Sequence, residues 1–481
     1  MSELITKKVN SNQAIIMIII AILIIIIGKQ VIKMDTTATL MICAAISCVL
    51  ALTWGVKWND IQVNMLDGIR SMGIPIIILM LVGVLVGTWM ISGTIPTMMY
   101  YGMIILKPGM FLFLTCIICS LMSIMTGTSW GTISTIGVAL VGVSLGLRIP
   151  IQYTVGAIVV GAYFGDKLSP LSDTTVLASA VCDVELTDHI KHMLYTTIPG
   201  YIISLVLYFI LGLKYKSGVV GGEEYILILE TLKSTFIINP LMLLPPIVVL
   251  FLIIKKKPTI PTFAVGIFAA SILAIFIQGE TVLSITNAMI NGYTGATEVA
   301  IVDKLICRGG LNSMLGTVGL IFTAGLFGAP MKASGAIQVI FDKVENIAKT
   351  DKQFMVSVTI IHIVFYIVAL SYYVTYAVLG EMARGLYSKY DLHKKNLSRT
   401  LEDTGTVLAP LIPWGISGAF IASNLGVTIG GFWIYAPMTY CSIIFGLILI
   451  ATGYGIAKAD GTMKKSFFIK NKNMVQINSV R

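Results

Sequence analysis

Long apolar runs separated by short polar intervals lay out this 481-residue chain. A helix that crosses a bilayer needs about 17–25 mostly apolar residues, fewer where the helix is broken. By that rule the pattern predicts spans over 14–32, 37–55, 74–91, 110–126 and 130–147. A further span over 151–165 runs into a polar stretch that continues to about Cys182, and 194–213 follows. His189 and His192 then fall in a charged loop from Asp183 to His192, and the short run 96–106 is not counted as a crossing. The second half repeats the plan with spans over 237–254 and 260–277, a polar interfacial segment over 280–308, and 311–329. A lysine-bearing loop over 331–352 leads to 354–370 and 372–387, which flank a break near Ser371. A second polar stretch from about 400 to 424 and a last span over 431–456 complete the series.

The polar stretches repeat one another. Leu171-Ser172-Asp173-Thr174-Thr175-Val176-Leu177-Ala178-Ser179 is nearly copied by Leu401-Glu402-Asp403-Thr404-Gly405-Thr406-Val407-Leu408-Ala409-Pro410, with one inserted glycine. About seven crossings per half is an odd number, so the second half begins on the opposite face of the membrane. The expected fold is an all-α polytopic membrane protein with about 12–14 transmembrane segments in two inverted-topology repeats, their helices broken or re-entrant at the midplane. The first repeat spans 1–213, an extracytoplasmic connection 214–236, the second repeat 237–456 and a basic cytoplasmic tail 457–481.

Composition agrees with this. Only 12% of residues are charged, against about 25% in an ordinary soluble domain, and the mean hydropathy is +0.91. The net charge of +10 does not point to nucleic acid, because the basic residues cluster between apolar runs. Lys255-Lys256-Lys257, Lys343 to Lys352, Arg384 to Arg399 and Lys464 to Lys472 fit cytoplasmic loops under the positive-inside rule. That assignment puts both termini inside, and Glu223, Glu224, Glu280 and Glu298 outside. No small-residue cleavage site follows Ile27, so the first apolar run reads as an uncleaved span. Cys116 and Cys119 form a C-x-x-C inside an apolar run and read as packing residues. With no H-E-x-x-H among the four histidines, neither a zinc site nor any other cofactor is expected.

An ionisable residue at membrane depth costs about 2.5–3.5 kcal/mol on insertion scales and marks a functional site by default. Unwound backbone there must line a cavity or be buried in protein, and its freed carbonyls can hold a cation. The candidates are therefore Asp173 and Asp403 at equivalent places in the two copies, with Asp166 and Glu402 beside them. Thr126, Thr128, Ser129, Ser169, Ser172, Thr174, Thr175, Thr404 and Thr406 supply hydroxyls, and Ser371 and Tyr372 flank the remaining break. Hard oxygen ligands suit sodium, and a carboxylate that holds either sodium or a proton couples opposite fluxes; on this reading Asp173 and Asp403 hold the transported Na+. Plainer roles stand beside these: Asp166 and Lys167 as a local pair, Glu402 and Arg399 as a structural ion pair, and the hydroxyls as backbone hydrogen-bond partners. A channel is disfavoured, since paired broken helices suit alternating access rather than a continuous pore. Gly127-Thr128-Ser129-Trp130-Gly131 matches Gly-x-Ser-x-Gly but lacks the strand–turn–helix context that a nucleophile needs, so no enzyme is expected.

Met125-Thr126-Gly127-Thr128-Ser129-Trp130-Gly131-Thr132, Gly161 through Thr175 and Asn396 through Thr406 together resemble the NhaC family of sodium/proton antiporters. The resemblance extends over nearly the whole chain. It implies a bacterial cytoplasmic-membrane antiporter, embedded in the lipid bilayer as a homodimer and moving a small cation. Some members of the group exchange organic acids, such as malate against lactate, and an amino acid or organic acid coupled to sodium or protons is the alternative. Two departures bear on this choice. The chain has Leu370-Ser371-Tyr372-Tyr373 where the family typically has Gly-Asp-Gln-Tyr, and Pro413-Trp414-Gly415-Ile416 where it often has Pro-Trp-Asn-Thr. Both remove polar ligands, and the second leaves room for a bulkier substrate.

Overall fold

A computed structural model of the protein describes residues 9–463, apart from Met72, Leu171, 216–222, Lys256, 337–338, 340–342 and 344–347. The tail from residue 464, much of the lysine-bearing loop and the side chain of Thr126 lie outside the described residues. The first half contains α1 (Ser11–Ile26), α2 (Thr36–Thr53), α3 (Trp58–Ser71), α4 (Gly73–Ile91), α5 (Thr94–Ile105) and α6 (Pro108–Thr126). It continues with α7 (Ser129–Gly146), α8 (Ile151–Leu168), α9 (Asp173–Val181) and α10 (Leu186–Leu213). Then come α11 (Glu223–Thr235), α12 (Leu244–Ile254), α13 (Thr259–Phe276), α14 (Val282–Asn291), α15 (Ala300–Ile306) and α16 (Leu315–Ala333). The chain closes with α17 (Asp351–Ala369), α18 (Tyr372–Lys389), α19 (Lys395–Thr404), α20 (Ile416–Leu425) and α21 (Pro437–Thr452). This is an all-α polytopic membrane protein.

Breaks shorten its helices, so length alone marks fewer crossings than the apolar runs suggest. Among the described residues α6, α7 and α10 qualify as spans, and four bent pairs would bring the number to seven. The run 96–106 proves to be one arm of such a pair, since α5 turns 69° away from α4. The expected loop from Asp183 to His192 requires correction. Helix α10 starts at Leu186, and both histidines are buried on it. His189 Nδ1 meets Ser398 Oγ at 2.8 Å and His192 Nε2 meets Asn396 Oδ1 at 3.1 Å. Their polarity reads as loop in the sequence because the hydrogen-bond partners arrive from α19, some two hundred residues downstream. Just before α10, Lys394 donates to Asp183 at 2.7 Å and holds that exposed carboxyl below its usual range.

Among the described residues two large apolar cores organise the helices, beside a small third one of Ile91, Ala274, Ile285 and Ala288. The larger runs from α1 to α8 and on to α20, while the smaller gathers Ala178, Phe354, Tyr376, Tyr387, Leu397 and Leu401 from α9, α17, α18 and α19. The first broken segment thus starts in one core, with α8, and finishes in the other, with α9. Close packing of α8 on α6 fixes where the break falls. A Cβ at Gly161 would lie 2.4 Å from the Cys116 carbonyl, and one at Gly165 would lie 2.4 Å from the Ser120 carbonyl. Small residues four apart let membrane helices approach in this way. Ser123 Oγ donates to the Ala162 carbonyl (2.6 Å) and Ser169 Oγ to the Ile124 carbonyl (2.7 Å), closing the seam. Cys116 and Cys119 are buried along it as packing residues.

Candidate ion-binding site

Two breaks share one backbone geometry. Helix α6 ends on Gly127 (φ 68°, ψ 25°) and Thr128 (φ −150°, ψ 122°) then caps α7 by accepting from Gly131 N at 3.2 Å. Helix α17 ends on Leu370 (φ 55°, ψ 14°) and Ser371 (φ −135°, ψ 115°) caps α18 by accepting from Val374 N. Left-handed backbone suits glycine and is uncommon for leucine. The capping hydroxyls satisfy amides that a helix start leaves without an intrahelical partner. Thr128 and Ser371 thus cap helix starts at two breaks of like backbone geometry.

The polar groups between these breaks form one cluster. Ser129, at the start of α7, donates to Asp166 Oδ2 at 2.7 Å, while Asp166 Oδ1 is buried with no hydrogen-bond partner. Lys167 does not pair with its neighbour. It reaches across the molecule to Asp403 on α19, which also accepts from Thr196 Oγ1 of α10 at 2.9 Å. Lys167 is 0% exposed and Asp403 3%. Glu402 is 0% exposed, and neither of its carboxylate oxygens has a hydrogen-bond partner. The hydroxyls nearest it, Thr174 and Thr406, are turned to Ser172 Oγ (3.0 Å) and Tyr376 Oη (2.8 Å). Arg399 does not serve Glu402 either; its Nη1 lies 3.1 Å from His192 Nε2.

The remaining hydroxyls hold the backbone of the breaks. Ser172 caps α9 by accepting from Thr175 N. Thr175 Oγ1 donates to the Lys167 carbonyl at 3.1 Å, satisfying a group that the end of α8 leaves free. Thr404 Oγ1 lies 2.6 Å from His362 Nδ1 and donates to the Thr400 carbonyl at 2.6 Å. Thr406 receives its backbone partner from Tyr376, whose hydroxyl accepts from Thr406 N at 2.9 Å. The ring of Tyr372 rests 4.5 Å from that of Tyr373. Trp130 stacks on Phe420 of α20 with ring centroids 4.4 Å apart.

Asp173 and Asp403 occupy unlike surroundings. Asp173 opens α9, at the positive end of the helix dipole, on an accessible side where the Tyr373 hydroxyl donates to it. Asp403 lies in the last turn of α19, buried against Lys167. The break precedes the aspartate in the first copy and follows it in the second. Matching letters conceal this shift because the inserted Gly405 moves the break. Lys167, Thr196, His362, Tyr373 and Tyr376 were not among the candidates. Lys167, Thr196, His362 and Tyr376 are ordinary by spacing, and only folding brings Lys167 to Asp403; Tyr373 alone carries a signal, by standing at the break.

A helical membrane protein with ionisable groups gathered at facing breaks is built as a secondary transporter. The chain belongs to the Na+/H+ antiporter family, whose sequence model matches residues 161–454. It is 35% identical over 460 residues to the Na(+)/H(+) antiporter NhaC of Alkalihalophilus pseudofirmus, covering 95% of this chain and 99% of that one. It is 34% identical to the malate-2H(+)/Na(+)-lactate antiporter of Bacillus subtilis, covering 85% and 87%. It is also 34% identical to the arginine/ornithine antiporter ArcD of Halobacterium salinarum, covering 93% and 92%.

Proposed function

We propose that the protein exchanges sodium for protons by alternating access, with Asp166 and Glu402 as the groups that hold either ion. The observation that carries this is the pair of buried carboxyls with unused oxygens, three in all, beside a fixed lysine. An ionised carboxylate without partners is too costly to keep in an apolar interior. A proton or a desolvated sodium ion removes that cost, and the two compete for the same oxygens. Ser129 and the Asp166–Lys167 carbonyl end of α8 add hard ligands. Lys167 holds Asp403 as a structural counter-charge, and Asp173 with Tyr373 stands at the accessible approach. The twin backbone geometry at Gly127–Thr128 and Leu370–Ser371 supports two repeats of inverted topology; the placing of the basic loops supports cytoplasmic termini, and the family resemblance supports a homodimer.

The test is a liposome with a pH gradient and an interior pH dye. Added sodium should collapse the gradient, with apparent sodium affinity falling as the pH drops. Asp166→Asn and Glu402→Gln should each lower the exchange rate at least about a hundredfold, on the scale of losing one essential charged partner. A folded native protein that leaves the gradient standing would overturn the reading. One observation favours a second reading, exchange of an organic acid or amino acid. Tyr372 and Tyr373 line the break where the family resemblance places a carboxylate, and Tyr373 engages Asp173. Counterflow of a labelled carboxylate without sodium-driven proton movement would establish it.

A further inference from the structure

A groove of about 570 Å³ opens between α17 and α21, where the start of one helix meets the end of the other. The Lys352 ammonium crosses it to donate to the Ala451 carbonyl at 2.6 Å. That carbonyl is one that a helix end leaves without an intrahelical partner, and a cation suits the negative end of the helix dipole. An ammonium has more donors than this one bond uses. Beside it Lys349 is exposed, and its ammonium pairs with none of the described residues. Gln353 Oε1 accepts from the Lys349 amide at 2.9 Å, which leaves the Nε2 hydrogens of Gln353 as donors at the same rim. None of the described lining residues is acidic. Asp351, next to Lys352, is committed elsewhere: Oδ1 accepts from the Lys352 amide at 2.8 Å and Oδ2 from the Lys458 ammonium at 3.0 Å. Below the rim the walls turn apolar, with Val356 from α17 and Leu447 and Ile450 from α21. The apolar surface then continues along both helices. Ile360, 55% exposed, is on the face of Val356 and eight residues from Lys352, about 12 Å at helical rise. Ile444, 49% exposed, is on the face of Leu447.

We propose that this groove binds one anionic phospholipid of the surrounding bilayer, its phosphodiester at Lys349, Lys352 and Gln353 and an acyl chain along the furrow between α17 and α21. Basic pockets between membrane helices hold anionic headgroups in this way, and the two lysines end a loop of the basic kind that marks one membrane face. Charge decides which headgroup fits. Phosphatidylethanolamine and phosphatidylcholine each carry a cationic group, which would sit among ammoniums with no lining acid to receive it. Phosphatidylglycerol carries none. The furrow decides that the ligand is a lipid rather than a free phosphate, because a phosphate ion would leave the apolar walls without a partner. Both walls also brace α19. His362 of α17 meets Thr404 at 2.6 Å, and a Cβ at Gly446 of α21 would come to 3.7 Å from Asp403 Oδ2.

Purified full-length protein, stripped of lipid in detergent, is titrated with dioleoyl lipids, and the first bound lipid is followed by native mass spectrometry. Phosphatidylglycerol should bind at least about tenfold more tightly than phosphatidylethanolamine or phosphatidylcholine, as two lysines facing one anionic headgroup require. Lys349→Gln should weaken phosphatidylglycerol about fivefold, the weight of one such lysine. Lys349→Gln with Lys352→Gln should bring it to the level of phosphatidylcholine. Lys255→Gln with Lys257→Gln removes the same charge beyond the end of α12 and should leave binding as it was. Inorganic phosphate at about 10 mM, where even weak anion sites fill, should not displace the lipid. Equal affinity for phosphatidylglycerol and phosphatidylcholine would overturn the proposal. So would a loss in the Lys255 and Lys257 variant as large as in the Lys349 and Lys352 variant, since binding would then follow net charge alone. Displacement by phosphate would make the groove an inorganic-anion site and overturn it too. Lys349 is exposed and its ammonium unpaired, so Lys349→Gln reads binding without disturbing the fold, and unchanged affinity in that variant would also sink the idea. Sodium-driven proton movement is read separately, so either result leaves the exchange assay free to succeed or fail.

Discussion

Lys167 and Asp403 sit 236 residues apart in sequence and meet in a space with almost no solvent exposure. Removing one partner of a buried pair leaves an uncompensated charge and costs about 3–5 kcal/mol, while replacing both by apolar residues is often close to neutral. Lys167→Met should therefore destabilise the protein by about that amount in detergent unfolding experiments. Lys167→Met with Asp403→Leu should recover most of it. Failure of the double variant to recover would show that Lys167 acts beyond neutralising Asp403. At this scale the sequence is legible in part. Asp166, Asp173, Glu402 and Asp403 stand out because charge is scarce in apolar runs, and three of the four are buried in the site. What they touch is not legible. The local readings, Asp166 with Lys167 and Glu402 with Arg399, are the natural ones along a chain, and the fold sends both cations elsewhere.

Among the elements, the α6–α8 seam is the one that sets the site, because it delivers Asp166 to Ser129 one residue beyond Gly165. Gly165→Val would drive side-chain atoms into the Ser120 carbonyl and the Ser123 side chain. Overpacking of this kind costs about 1–3 kcal/mol. The expected result is a lower unfolding temperature together with weakened sodium binding, since Asp166 is pushed from its partner; Gly319→Val, where a Cβ meets nothing within 4 Å, is the control. Unchanged binding in Gly165→Val would separate the seam from the site. The two glycines four apart were present in the motif that marked the stretch, yet the polar residues around them drew the reading towards chemistry rather than packing. Helix boundaries were mostly legible from apolar runs, as for α6, α17 and α18. The start of α10 was not, because its first turns are polar on faces that α19 covers.

Across the whole molecule, two cores meet where the broken segments cross, and the ion pair ties α8 of one to α19 of the other. This arrangement has an electrical consequence. On the proposed exchange, with Asp166, Glu402 and Asp403 ionised beside Lys167, the cluster carries a charge of −2, which would become −1 with one sodium ion and zero with two protons. A unit charge moved through the membrane potential changes energy by about 2.3 kcal/mol per 100 mV. The sodium-loaded form should then feel the potential as it reorients, while the doubly protonated form crosses unaffected. Sodium-driven exchange measured in liposomes clamped with potassium and valinomycin should change rate with voltage, and Lys167→Met with Asp403→Leu, which leaves the −2 charge intact, should respond as the native protein does. A voltage-independent native rate would mean that sodium and protons load the cluster with equal charge. The two carboxyls that the lysine leaves uncompensated thus set how the membrane's battery enters the transport cycle.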